Sequence, residues 1–117
     1  MTPNQFRKLA LETPGAEESS HMSHPDFRIG GKVFATLSQD GDFGVLKLTP
    51  DQQQSWCDAH SSVFVPANGA WGERGYTNVH LLKAKTPVIR AAMRQASANV
   101  ASGKRAKPGK RRAASDR

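Results

Sequence analysis

The chain has 117 residues, enough for one domain with a modest core and too few for a second domain. Its net charge of +7 is unevenly distributed: residues 1–103 carry 10 basic and 9 acidic side chains, whereas residues 104–117 carry 7 basic and 1 acidic. The sequence has no apolar run long enough to span a membrane and no apolar region typical of a signal peptide near its start, so we expect a cytoplasmic protein.

The first predicted helix begins with a Thr-Pro pair, a signal that opens three predicted helices. A threonine side chain accepts a hydrogen bond from a free backbone N–H, and a proline at the first helical position has no donor to lose. Thr2-Pro3, with Gln5 completing a capping box, predicts a helix running to about Glu12. Its apolar stripe consists of Phe6, Leu9 and Ala10.

Three strands are predicted next, at residues 27–29, 33–37 and 43–48, with Gly30-Gly31 and Asp40-Gly41 as tight hairpin turns between them. A two-residue turn at Asp40-Gly41 places Ala35 opposite Leu46 and Val33 opposite Leu48. The apolar face covered by helices would then hold Val33, Ala35, Leu37, Leu46 and Leu48. The other face would hold Phe34, Thr36, Val45 and Lys47, which is apolar enough to indicate further cover or a contact surface.

Thr49-Pro50, with Gln52, predicts a second helix that directs Trp56 and Ala59 inward. Strands follow at residues 63–65 and 76–82, and residues 68–75 form a glycine-rich loop between them. The loop lacks the spacing of a phosphate-binding P-loop. Trp71 within it could stack on a nucleic-acid base, or fold back over a sheet edge or a helix end.

The third of these helix-opening Thr-Pro pairs, Thr86-Pro87, begins the most regular helix. Its apolar side chains recur at helical spacing, at Ile89, Ala92, Met93, Ala96 and Val100. Beyond this helix, residues 102–117 contain helix-breaking Gly103 and Pro108 and no apolar side chain larger than alanine. We predict a domain over residues 1–101 and a disordered basic tail over residues 102–117.

Four stretches together resemble the MmcQ/YjbR family: residues 11–17 (LETPGAE), 27–35 (FRIGGKVFA), 46–48 (LKL) and 71–79 (WGERGYTNV). The resemblance covers about residues 4–100, and FRIGGKVFA is its most specific element. It implies an α+β fold in two layers, an antiparallel β-sheet covered on one face by helices, in the CyaY-like order α-β-β-β-α-β-β-α. Tyr76 stands where many members have tryptophan, and the basic tail extends past the shared domain.

The resemblance also carries a functional expectation, because the family is commonly described as DNA-binding from the wing-like shape of its hairpins. Together with the tail, it predicts a monomeric, non-enzymatic nucleic-acid-binding protein of low sequence specificity, with DNA favoured over RNA. The candidate contacts are the basic side chains Arg28, Lys32, Lys47, Arg74, Arg90, Arg94, Lys104, Arg105, Lys107, Lys110, Arg111 and Arg112.

The alternative function is a protein-interaction or small-ligand-binding module whose tail serves only solubility. An enzyme is disfavoured, since four histidines and the single Cys57 give no recognisable nucleophile, base and orienting group. The same residues lack zinc-ligand spacing, and Cys57 is expected to be an inert, half-buried thiol. Helix one also lacks the row of carboxylates that iron binding by a CyaY-like protein would need. We therefore predict no cofactor and no metal.

Overall fold

Six strands and four helices make up the part of the chain that the computed structural model describes, residues 1–21 and 24–101. In chain order they are α1 (Pro3–Leu11), β1 (Glu17–His21), β2 (His24–Ile29), β3 (Lys32–Leu37), β4 (Phe43–Lys47), α2 (Pro50–Ala59), β5 (Phe64–Pro66), α3 (Gly69–Glu73), β6 (Tyr76–His80) and α4 (Thr86–Ala101). A 3-10 turn at Leu81–Lys83 links β6 to α4. The predicted tail from residue 102 lies outside the described residues.

Two of the three Thr-Pro pairs that were predicted to open helices cap them as predicted. The Thr2 hydroxyl accepts a hydrogen bond from the backbone N–H of Gln5 at 3.1 Å, and the Gln5 side chain accepts one from the Thr2 N–H at 2.8 Å. Thr49 and Gln52 form the same capping box on α2. At the third pair the helix already includes Thr86, so that residue lies inside α4 and not before it.

The strands form one antiparallel sheet in the order β1-β2-β3-β4-β6-β5. The predicted fold class, an α+β fold with an antiparallel sheet, is confirmed. The structure adds β1 and α3 to the predicted order of elements. No helix among the described residues is long and apolar enough to cross a membrane.

Helices α1, α2 and α4 cover one face of the sheet, and the core lies between these helices and the sheet. α4 crosses β2, β3 and β4, and it buries the five side chains predicted from its periodicity. α2 contacts the sheet at β5 and β6, where Trp56 is half-buried and donates its indole N–H to the side chain of Gln95 on α4 at 2.7 Å. Ala59 is exposed, so its predicted inward position is wrong.

A β-bulge in β3 changes which side chains enter the core. Phe27 pairs with Ala35 but the next residue, Arg28, pairs with Val33, so Phe34 has no partner on β2. Phe34 and Ala35 both lie on the helical side, and Phe34 is 0% exposed in the core. Val33 instead borders the opposite face beside Thr36. The predicted faces of Val33 and Phe34 are therefore wrong.

The β3–β4 hairpin has the predicted register at Ala35 but a wider turn, and the predicted pairing of Val33 with Leu48 is not formed. Ala35 pairs with Leu46, which confirms that prediction. The Ser38 N–H donates to the Phe43 carbonyl at 2.9 Å, so Asp40-Gly41 sits inside a four-residue loop. The Asp40 carboxylate accepts hydrogen bonds from the Ser38 hydroxyl and the Asp42 N–H, which stabilise this loop.

Candidate nucleic-acid interface

The face of the sheet opposite the three covering helices is the open face, defined here by Thr36, Val45, Lys47, Tyr76 and Asn78. Cross-strand pairing of Thr36 with Val45, and of Val45 with Asn78, forms one row across β3, β4 and β6. Lys47 pairs with Tyr76 in the adjacent row. All five side chains are half-buried, so each keeps part of its surface accessible to a ligand.

At one end of this face, two aromatic rings and two cations form the aromatic cluster, which consists of Lys47, Trp71, Arg74 and Tyr76. The rings of Trp71 and Tyr76 meet edge to face, with centroids 5.0 Å apart and planes at 88°. The Arg74 guanidinium carbon lies 5.6 Å from the Trp71 ring centre, and the Lys47 ammonium lies 5.9 Å from the Tyr76 ring centre. Each ring therefore has its own cation within the range of a cation–π contact.

Trp71 remains 57% exposed although it contacts Tyr76. It lies on α3, so the glycine-rich segment predicted as a loop contains a short helix. The side chain neither covers a sheet edge completely nor projects freely into solvent. It leans over the open face and leaves much of its indole accessible.

Two glycines fix the position of α3. A Cβ at Gly72 would overlap the carbonyl oxygen of Ala67, so the helix lies directly against that backbone. Gly75 has φ +107, a conformation that disfavours other residues, and a Cβ there would overlap the carbonyl of Leu48. The chain can therefore turn from α3 into β6 only with glycine at these two positions.

Gln53 of α2 holds both ends of this segment from the helical layer. Its Nε2 group donates to the carbonyl of Gly72 at 3.0 Å and to the carbonyl of Tyr76 at 2.9 Å. The Tyr76 carbonyl also accepts from the Ala67 N–H at 2.9 Å. These bonds fix the backbone of both aromatic residues relative to the sheet.

Between Trp71 and the sheet lies an open cavity of about 400 Å³. The open-face side chains line it together with Ala67 and Asn68. Most of its surface is apolar, and the lining residues that carry polar side-chain groups are Thr36, Lys47, Asn68, Trp71, Tyr76 and Asn78. Burial raises the pKa of the Tyr76 hydroxyl and Arg74 opposes this only in part, so at neutral pH the hydroxyl is a neutral hydrogen-bonding group.

Of the predicted contacts in the domain, the structure brings together Lys47 and Arg74. Arg28 also lies toward the open face, but its guanidinium forms a two-point ion pair with Asp26 at 2.9 and 3.0 Å. Asp26 is only 2% exposed, so the ion pair with Arg28 offsets the free-energy cost of burying its carboxylate. Lys32 begins β3 at the β2–β3 hairpin, away from the cluster.

The two predicted contacts on α4 belong to the helical layer. Arg90 donates through Nε and Nη2 to the Glu12 carboxylate, both at 3.1 Å. This lowers the pKa of Glu12, with a weaker contribution from the nearby charge of Arg94. The six domain cations therefore do not form one continuous surface. The predicted tail contacts, residues 104–112, lie outside the described residues.

Sequence reasoning noted Tyr76 only as a departure from the family pattern, and it did not single out Gln53. An aromatic residue directly after the glycine-rich segment was the available signal for Tyr76. Nothing local marks Gln53, because its role depends on α2 lying next to the α3–β6 connection.

The residues considered for enzymatic chemistry have ordinary structural contacts. Burial raises the pKa of the Cys57 thiol, with a further contribution from Asp58, so the thiol is protonated at neutral pH. His60 stacks beside Trp56, with ring centroids 6.0 Å apart. His80 contacts Phe43, and the centroids of their rings are 4.9 Å apart. Within residues 1–21 and 24–101, no group of three or more His, Cys, Asp or Glu side chains could hold a metal ion.

Comparison with known proteins identifies a matching family model and a similar solved structure. The model of the YjbR family matches residues 11–107, so the matched region continues past residue 100, where the sequence resemblance ended. The crystal structure of protein DR2400 from Deinococcus radiodurans, with a DUF419 domain, has a TM-score of 0.75 and 18% identity. The similarity covers 91% of this chain and 83% of that chain, and at this identity it supports the fold alone. No curated protein matches the sequence.

Proposed function

This chain belongs to the YjbR family, and we propose that it is a non-enzymatic nucleic-acid-binding protein of low sequence specificity that favours DNA. The observation that supports this function is the aromatic cluster, in which Trp71 and Tyr76 each lie beside a cation on an accessible face. Aromatic rings stack on bases and cations neutralise phosphates, and the two together are the usual elements of a nucleic-acid-binding surface.

Low specificity follows from the kind of contact that the cluster offers. Every base has a π-face and every nucleotide has a phosphate, so stacking and charge neutralisation do not distinguish sequences. Arg28 and Arg90 are already engaged by Asp26 and Glu12. We therefore assign the main phosphate contacts of the domain to Lys47 and Arg74.

The position at which the basic tail begins supports the same function. α4 ends at Ala101, shortly after Asn99, whose side-chain amide donates to the Lys47 carbonyl at 3.0 Å. α4 therefore ends near the end of β4 that carries Lys47. The six cations between residues 104 and 112 would add phosphate contacts to those of the cluster.

The function is tested by titrating the full chain into labelled DNA, both single-stranded and duplex, and measuring fluorescence anisotropy. We expect micromolar binding at about 50 mM salt and weaker binding at about 200 mM, as counterion release requires. Replacing Lys47 and Arg74 by glutamine should weaken binding more than replacing Lys83 and Lys85, which removes the same charge beyond the other end of β6. If neither form of DNA binds at the lower salt concentration, the proposed function is wrong.

A second candidate, a small-ligand or protein-interaction module, is favoured by the cavity of about 400 Å³ and by the neighbouring Val65, which is 41% exposed. Cavities of about 300–1,000 Å³ are typical of small-ligand sites. This candidate predicts that the Lys47/Arg74 double variant and the Lys83/Lys85 double variant behave alike toward DNA. For a protein-interaction surface, the elution volume of the protein in gel filtration would also change with its concentration.

A further inference from the structure

We propose that the cavity beside Trp71 holds an unpaired nucleobase, so that the protein prefers single-stranded nucleic acid to a duplex. This inference rests on the nucleic-acid-binding function proposed above and specifies its ligand.

The composition of the cavity matches a base. A base has two apolar faces and a polar edge, and the cavity has an apolar floor formed around Val45 with the Asn78 amide and the Thr36 hydroxyl beside it. Trp71 and Tyr76 supply aromatic surface on one side. An amide can both donate and accept, so Asn78 could pair with the edges of different bases without selecting one.

The shape of the site explains why the base must be unpaired. Trp71 stands over the open face from α3, so its exposed indole surface faces a cavity instead of a flat surface. In a duplex both faces of a base are stacked on neighbours, and only its edges are accessible in the grooves. A base from a duplex could reach the cavity only after unstacking and unpairing, whereas a base of a single strand is already available.

The cations of the aromatic cluster can bind the phosphates next to such a base. Lys47 lines the cavity and lies over the Tyr76 ring, and Arg74 lies over the Trp71 ring. Of the nearby carboxylates, Asp26 is neutralised by Arg28, and Glu73 is exposed at the end of α3. A strand bound at the cluster would therefore meet a cation beside each ring.

The decisive experiment compares the full chain and its Trp71→Ala variant in binding a 12-nucleotide single strand, as DNA and as RNA, and the matching duplex. We expect the unaltered chain to bind a single strand at least about tenfold more tightly than the duplex. Trp71→Ala should reduce single-strand affinity about tenfold and leave duplex affinity nearly unchanged. Trp71→Phe keeps an aromatic ring and should therefore bind single strands much more tightly than Trp71→Ala. Comparing the affinities for the DNA strand and the RNA strand shows which of the two nucleic acids supplies the base.

Leu82→Ala is the matched control, because Leu82 is 91% exposed and lies beyond the other end of β6. It removes an exposed apolar side chain away from the cavity and should not alter binding. Equal affinity for single strand and duplex, or a Trp71→Ala variant that binds single strands normally, would overturn the inference while leaving the nucleic-acid-binding function in place. Binding to neither form would instead refute that function.

A spectroscopic measurement tests the contact directly, because Trp56 and Trp71 are the two tryptophans of the chain. In a Trp56→Phe chain, all tryptophan fluorescence comes from Trp71, and stacking on a base should quench it as single-stranded DNA is added. In a Trp71→Phe chain the remaining Trp56 should not respond. Quenching that is the same in both variants, or absent in both while anisotropy reports binding, would contradict a base at Trp71.

Discussion

At Gly72 the absence of a side chain allows α3 to lie directly against the backbone of Ala67. Alanine ordinarily stabilises a helical position relative to glycine by about 0.5–1 kcal/mol. Here we expect Gly72→Ala to lower the free energy of unfolding by about 1–3 kcal/mol, because the added methyl group must displace the helix. Urea denaturation measures the change, and a variant as stable as the unaltered chain would show that α3 can move without cost.

Gly69→Ala provides the comparison within the same helix. Gly69 has φ +64 but nothing within 4 Å of an added Cβ, so the substitution causes backbone strain without steric overlap. We expect it to reduce stability by about 1–2 kcal/mol but to leave the Trp71 fluorescence maximum unchanged in a Trp56→Phe background. Gly72→Ala in the same background should shift that maximum, because it moves α3 away from Tyr76.

Between elements, Gln53 joins α2 to the segment that carries the aromatic cluster. Gln53→Ala removes two hydrogen bonds to backbone carbonyls, and we expect it to lower the free energy of unfolding by about 1–3 kcal/mol. It should also weaken single-strand binding although Gln53 is not itself proposed to touch the ligand. Gln54→Ala is the control, since Gln54 donates to the exposed Asp58 carboxylate and its replacement should change neither property.

The ion pair between Glu12 and Arg90 joins the end of α1 to α4 and gives the fold a dependence on pH. The Arg90 hydrogen bond lowers the pKa of Glu12 below its ordinary value of 4.5. A carboxyl whose pKa is lower in the folded state stabilises the fold above pH 4.5, and this contribution disappears as the pH falls through the folded pKa. An NMR titration should find that Arg90→Gln raises the pKa of Glu12, and that Arg94→Gln raises it less.

Stability measurements give the same pair a second test. Because both groups are exposed, we expect a small effect of Arg90→Gln on the unfolding free energy at pH 7, and a smaller effect at pH 3, where more of Glu12 is protonated. An Arg90→Gln effect as large at pH 3 as at pH 7 would mean that Arg90 acts through packing instead of its charge.

The helices could be predicted from the sequence because their signals are local. The capping boxes at Thr2 and Thr49 and the apolar period of α4 depend only on neighbouring residues. β1 could not be predicted, since its sequence Glu-Glu-Ser-Ser-His has no apolar alternation and it forms a strand only by pairing with β2. The bulge at Phe34 was equally hidden, because no glycine marks it and it depends on how β2 and β3 pair.

The candidate site could not be predicted from local sequence either, because it depends on the fold of the whole molecule. Lys47, Trp71 and Arg74 were each noted from the sequence, but their convergence was not. It depends on the pairing of β4 with β6, which sets Lys47 beside Tyr76, and on a helix in a segment that was predicted to be a loop. Arg28 and Arg90 were counted as free cations because their partners, Asp26 and Glu12, are set by the fold.

Residues 1–103 have a net charge of only +1, so the tail should govern the salt dependence of binding by the whole protein. Each cation that neutralises a phosphate of a single strand contributes about 0.7 to the slope of log K against log salt. For a chain ending at Ala101, which lacks the six cations between residues 104 and 112, we expect this slope to become shallower by about 4. Thermal unfolding should barely change, because the core of the described part of the chain is built from residues that precede residue 101. Equal slopes with and without the tail would show that its cations do not contact phosphate.

The hydrogen bond from Asn99 to the Lys47 carbonyl has a consequence for avidity. It fixes the last turn of α4 at the end of β4 that carries Lys47, so a strand bound by the residues that follow α4 would be held at an effective local concentration that can reach the millimolar range. Two weak contacts then act as one stronger contact. A synthetic peptide of residues 102–117 mixed with the separate domain would lack this tether and could not reproduce the affinity of the intact chain.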